Sequence, residues 1–100
     1  MADDKIPTYS GNTNFRPNPD VLWRRLDDEV ILMQLKTDRM FSLNRTGARF
    51  WELMAEGLAL DEVTERLKRE FEVSPAQLSG EIAKILDLLN GEQLIAREEL

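Results

Sequence analysis

VLWRRLDDEVILMQLKTDRMFSL, residues 21–43, divides into three apolar-rich runs of strand length. Val21–Leu26 is followed by Asp27-Asp28, a turn-forming pair, and then by Val30–Leu35. Lys36-Thr37-Asp38 makes a second turn, and Arg39–Leu43 reads as a short third strand. The middle run is apolar at alternate positions on both faces except at Gln34, the pattern of a central strand buried on both sides. The three runs therefore form an antiparallel meander, with the third at one edge.

Helical spacing takes over after Leu43. Asn44 is a suitable N-cap for a helix reaching about Glu56, since its side chain can accept an early unpaired N–H. Gly47, Phe50, Trp51 and Met54 form the inward stripe, and Gly57 ends the helix in the left-handed position that residues with a Cβ avoid. A second helix carries Leu60, Val63, Leu67 and Phe71 on one face; its N-cap, Ala59, has no side-chain acceptor, so its start is weak. The third begins at Ser74-Pro75-Ala76-Gln77, a capping box with proline at the first helical position, where Val73 can staple onto Leu78. Its core stripe reads Leu78, Ile82, Ile85 and Leu89, and Asn90-Gly91 closes it. Leu94 and Ile95 return to the core. Three strands followed by three helices make an α+β domain of winged helix-turn-helix character.

This domain occupies residues 21–96. Residues 1–20 carry Pro7, Pro17, Pro19, Gly11 and several Asn, Asp and Thr, the composition of a flexible tail. Tyr9 and Phe15 are its aromatics, incidental unless the tail folds back onto the domain. Residues 97–100 form a short C-terminal tail.

A chain of 100 residues can build a core without metal or disulfide. It contains no Cys and no His. That removes a cysteine nucleophile, a Cys-based zinc site, the commonest general base and the commonest neutral metal ligand. The carboxylate pair Asp61-Glu62 belongs to a helix N-terminus, where the macrodipole favours acids, and Glu98-Glu99 lies in a tail. Ser10, Ser42, Ser74 and Ser79 have no histidine to activate them, and no Gly-rich loop follows a strand. No catalytic residues, metal site or cofactor are expected. There is no basic stretch followed by an apolar run at the start and no membrane-length apolar segment, so the chain reads as cytoplasmic.

A winged-helix DNA-binding regulator is the alternative to weigh on architecture. The net charge is -6. The third helix offers Gln77, Glu81, Lys84, Asp87 and Asn90, while Arg66, Lys68 and Arg69 alternate with Glu65, Glu70 and Glu72. Such surfaces repel phosphates, so nucleic acid is not an expected partner. Binding to an extended chain suits the features better: the strand 39–43 exposes an unpaired edge. Leu86 and Leu88 widen the apolar arc of the third helix, so one flank can line a groove. Either Lys84 and Leu88 or Ser79 and Leu86 would lie on that flank.

Residues 21–95 resemble the PqqD-like proteins, or RiPP precursor recognition elements. The resemblance rests on Phe41-Ser42-Leu43-Asn44-Arg45-Thr46-Gly47, which is similar to the family's "hydrophobic-x-Leu-Asn-x-Thr-Gly/Ala" motif. It continues through Phe50-Trp51-Glu52-Leu53, Gly57, Leu60-Asp61-Glu62-Val63, Leu67, Phe71, Glu81-Ile82 and Gly91-x-x-Leu94-Ile95, in order. Ala59 stands where the family usually has Thr or Ser, and Glu81 where many relatives have Asp.

The resemblance implies capture of a precursor's leader peptide as an added strand. Its strand side would be Arg39, Met40, Phe41, Ser42 and Leu43, and its helix side Glu81, Ile82, Lys84, Ile85 and Leu88. Main-chain pairing supplies affinity and apolar pockets supply selectivity. A free-standing domain of this kind is similar to the leader-binding proteins of lasso-peptide clusters. Its partners would be the precursor, a cysteine-protease-like leader peptidase and an ATP-dependent cyclase. The alternative within the family is a peptide chaperone of coenzyme PQQ biosynthesis serving a radical-SAM enzyme.

Overall fold

The computed structural model describes residues 13–98. In order the elements are β1 (Asn14–Pro17), β2 (Val21–Leu26), β3 (Glu29–Gln34), β4 (Arg39–Leu43), α1 (Arg45–Ala55), α2 (Leu60–Glu70), α3 (Pro75–Gly91) and β5 (Ile95–Glu98). This is an α+β arrangement, a meander followed by three helices, with winged helix-turn-helix character. β3 is central in the order β2-β3-β4. The turns place Asp27 and Asp38 at φ 55 and 60, left-handed positions that aspartate tolerates because its short side chain bonds locally.

β3 is buried on one face only. Val30, Leu32 and Gln34 point inward and are buried, whereas Ile31 and Met33 between them keep part of their surface. The expectation of burial on both sides is corrected here, because the core is built against a single side of the sheet. Its largest buried side chains include Trp51, Phe50, Leu53 and Met54 from α1, Leu67 from α2, and Leu78 and Leu89 from α3. Trp23 meets Trp51 edge to face, with ring centroids 5.9 Å apart. The Trp51 Nε1–H has no acceptor in this core.

The helix starts follow from their caps. Asn44 Oδ1 accepts the Gly47 N–H at 3.0 Å, and Ser74 Oγ accepts the Gln77 N–H at 3.1 Å. Gly57 ends α1 at φ 99. Ala59 has nothing to offer from its side chain, but the Leu60 N–H donates to the Thr13 carbonyl at 3.0 Å. Thr13, just before β1, thus satisfies one of the first helical donors, and Glu62 Oε1 accepts the Ala59 N–H at 3.4 Å.

The N-terminal boundary is corrected on this evidence of pairing. Residues 14–17 lie within the expected flexible tail 1–20, yet they form a strand antiparallel to β5, with Asn14 opposite Glu98 and Pro17 opposite Ile95. Phe15 is 3% exposed and belongs to the core. Four residues ending in a proline show no alternation to read, and the partner strand lies at the far end of the chain. Arg97 and Glu98, expected in the C-terminal tail, are part of the same ladder. Tyr9 and the rest of residues 1–12 lie outside the described residues.

α3 is rotated slightly from expectation. Leu78, Ile82, Leu86 and Leu89 are buried, and Ile85 is half-buried. Steps of four, four and three fit the helical repeat as well as the expected four, three and four. The left-handed residue after the helix is Gln93, at φ 59, rather than Gly91. The Leu94 N–H reaches the Leu89 carbonyl at 2.8 Å, which closes the last turn.

Candidate functional site

β4 is an edge strand with a determinable polarity. The Asp38 N–H donates to the Gln34 carbonyl and the Leu35 N–H to the Asp20 carbonyl, both at 2.8 Å. Gln34 therefore turns its carbonyl toward β4, while Leu35 turns its N–H toward the β2 side. Backbone groups alternate in direction along a strand, so Gln34, Leu32 and Val30 bond to Arg39, Phe41 and Leu43, their register partners. Met40 and Ser42 consequently aim their N–H and C=O groups at the open edge. No strand pairs with that edge among the described residues.

The end of α3 is pinned beside the start of β4. Gln34 is 1% exposed, and its Nε2 donates to the Gln93 carbonyl at 2.7 Å while its Oε1 accepts the Lys36 N–H at 2.8 Å. The same Gln93 carbonyl accepts Asn18 Nδ2 at 2.9 Å. This buried amide uses both of its ends, so its burial carries little penalty. Just outside, Arg39 Nη2 and Glu92 Oε2 are 3.6 Å apart, and the Arg39 guanidinium lies 5.5 Å from the Phe41 ring centre.

On α3, Leu88 lies one turn before Glu92, with Ile85 and Lys84 about a turn earlier again. Leu88 is 36% exposed; Ile85 and Phe41 are half-buried and packed on the core. The open hydrogen-bonding edge of β4 thus begins beside the C-terminal end of α3, where Arg39 meets Glu92.

The residues singled out in the sequence are placed as follows. Arg39 meets Glu92 and lies over the Phe41 ring, Phe41 and Ile85 are each half-buried against the core, Leu88 and Lys84 are exposed on α3, and Glu81 is half-buried further along it. Met40 and Ser42 offer main-chain groups, but their side chains project to the opposite face of the sheet, where Ser42 Oγ donates to Glu29 at 3.2 Å. Leu43 and Ile82 are core residues. Ile82 borders a second groove between α2 and α3 that also includes Ser79, Leu60 and Thr64. Leu86, at 7% exposure, is covered. Sequence reasoning did not single out Glu92 or the role of Gln34 in anchoring α3. The one signal available was the polar interruption at Gln34 in an otherwise apolar strand.

Among the described residues, no group of three or more His, Cys, Asp or Glu side chains is placed to hold a metal ion. None of their helices is long and apolar enough to cross a membrane.

A winged-helix-like domain with an open strand edge beside a partly apolar helix is a peptide-binding class of architecture. The profile of the family described as Coenzyme PQQ synthesis protein D (PqqD) matches residues 29–95, two-thirds of the chain. The chain belongs to the PqqD family. Among solved structures it is similar to TbiB1 in complex with the TbiA(beta) leader peptide, with a TM-score of 0.74 and 28% identity over 80% of this chain and 93% of that one. It also shares the fold of a lasso peptide synthetase B1 complexed with the leader peptide, at a TM-score of 0.73 and 22% identity over 83% of this chain and 98% of that one. No protein of curated function matches the chain.

Proposed function

We propose that this protein is a non-catalytic adaptor that binds the leader region of a ribosomally made precursor peptide as an added antiparallel strand along β4. The observation that carries the reading is the open edge of β4, where Met40 and Ser42 turn their main-chain groups outward; on this reading Phe41, Ile85 and Leu88 line a cleft beside that edge. The likeness to TbiB1, a protein solved with a leader peptide, supports it. Leader residues pointing into the cleft would meet apolar surface, and the alternate residues would lie on the outer side of the sheet.

On this reading the adaptor works in the cytoplasm, where precursors are synthesised. It delivers its cargo to a leader peptidase and an ATP-dependent cyclase of a lasso-peptide pathway. A second reading, service to a radical-SAM enzyme in coenzyme PQQ assembly, is favoured by the description of the matching family. DNA binding is not supported, since Arg39 and Arg49 already face acidic partners and the whole chain carries a net charge of -6.

Calorimetry with the cognate leader, followed by mass spectrometry of the peptide, tests the proposal. Binding at micromolar affinity or tighter with no change in peptide mass is expected. Absence of binding, or a peptide altered by this protein alone, overturns it. Titration with each pathway's leader separates lasso-peptide from PQQ service.

A further inference from the structure

The face of the sheet opposite the helices presents apolar surface that a strand added along β4 leaves uncovered. Cross-strand register puts Leu22, Met33 and Met40 in one row, with Arg24, Ile31 and Ser42 in the next. Leu22 and Met40 are each 62% exposed, and Leu26, beyond the second row, is 51% exposed. A depression of about 490 Å³ opens among Leu22, Arg24, Leu26, Ile31 and Met33. Contiguous apolar surface of this kind on a small domain marks an interaction site more often than chance.

Its charge pattern narrows the occupant. Arg24 stands among these apolar side chains and has no ion-pair partner among the described residues, whereas its neighbour Arg25, on the inner side, reaches Glu52 at 2.6 Å. Glu29, the acid at the end of this face, is held by the Ser42 hydroxyl. A partner covering the face must therefore bring a carboxylate to Arg24, because burying an unpaired guanidinium is costly.

We infer that this outer face docks the enzyme that acts on the bound precursor, through an apolar patch of that enzyme carrying a carboxylate opposite Arg24. The inference rests on the leader-binding reading: a chain that changes no bond in its cargo must pass it to a protein that does. Continuity with the leader edge supports this choice of partner. A strand beside β4 would extend the row Leu22–Met33–Met40 by one leader residue, so an enzyme seated here touches adaptor and leader together. Its affinity for the adaptor then rises when the leader is bound.

The test uses Leu22→Glu and Arg24→Glu, exposed positions on β2, away from the leader edge, with Arg24→Lys as the conservative control. Each full-length protein is titrated with the leader alone, and then, with and without leader, with the purified leader peptidase and the purified cyclase of the same pathway. The two charge variants should keep wild-type melting temperature and leader affinity, and lose about tenfold or more in affinity for one of the enzymes. Arg24→Lys should retain most of it, and leader should strengthen the wild-type interaction. Unchanged enzyme binding by both charge variants overturns the inference. So does a parallel loss of leader affinity, which assigns the face to the leader, or a wild-type dimer that these variants dissociate, which assigns it to a second copy. Failure of the wild-type protein to bind leader at all is a separate result that removes the functional proposal itself.

Discussion

Arg39, the first residue of the edge strand, and Glu92, the residue capping the end of α3, meet at 3.6 Å and bring the start of β4 beside the end of that helix. The buried Gln34 amide ties the end of β3 to the same end of α3 behind them. The Arg39 side chain is 60% exposed, and such pairs contribute less than about 1 kcal/mol. Glu92→Gln should therefore leave the urea midpoint nearly unchanged. Gln34→Leu should cost about 1–3 kcal/mol, because it strands the Lys36 N–H and removes a donor from the Gln93 carbonyl. Denaturant titrations of the two variants check the contrast.

Proline scanning of β4 tests the polarity of the edge. Met40→Pro and Ser42→Pro delete donors that face outward, which an edge strand tolerates. Both should remain folded and lose about tenfold or more in leader affinity, since main-chain pairing carries the binding. Phe41→Pro deletes a bond to β3 and should destabilise the fold by about 3 kcal/mol. Circular dichroism melts read beside leader titrations distinguish these outcomes. Normal binding by both edge variants places the leader elsewhere.

The helix flank is tested by two leucines. Leu88→Ala should weaken leader binding by about 1–2 kcal/mol with little change in stability, since Leu88 is 36% exposed. Leu86→Ala should instead cost about 2–5 kcal/mol of stability. Paired melting and calorimetry separate the effects. Reduced affinity in a stable Leu86→Ala protein, with normal binding by Leu88→Ala, reverses the assignment of the flank.

The N-terminal strand should carry measurable stability. Phe15→Ala is expected to cost about 3–5 kcal/mol, the price of an emptied aromatic site in the core. An incidental aromatic in a mobile tail would show almost no change. Equilibrium unfolding in urea decides between them.

One ion pair sets an acid limit on stability. Arg49 donates Nε to Glu70 Oε1 at 2.8 Å and Nη2 to Glu70 Oε2 at 3.0 Å. The hydrogen bonds from Arg49, outweighing partial burial, hold the Glu70 carboxyl below its ordinary value of 4.5. Because the folded-state value is depressed, the contribution is present above the unfolded value and is lost as pH falls through the folded one. The stability difference between wild type and Glu70→Gln should be flat near neutrality and close as pH drops below about 4.5. Denaturant midpoints measured across that range test it.

The sequence by itself determined what neighbouring residues settle among themselves. Aspartates in the turns, Asn44 and Ser74 as caps, Gly57 past α1 and the strand-length runs of β2 to β4 are local, and each appears where its chemistry puts it. The same local signals made β4 legible as an edge, because nothing after Leu43 reads as another strand for the meander. Tertiary structure decided the remainder. Ile85 and Leu86 both fit the helical period, and only the rotation of α3 against the core buries Leu86 and leaves Leu88 exposed. Phe15 became a core residue because β5 returned beside it. At the start of α2 the Leu60 N–H found the Thr13 carbonyl, a residue distant in the chain. Which residues of β4 face outward likewise depended on bonds between strands. These are contacts between residues distant in the chain, and a periodic pattern carries no record of what it will be packed against.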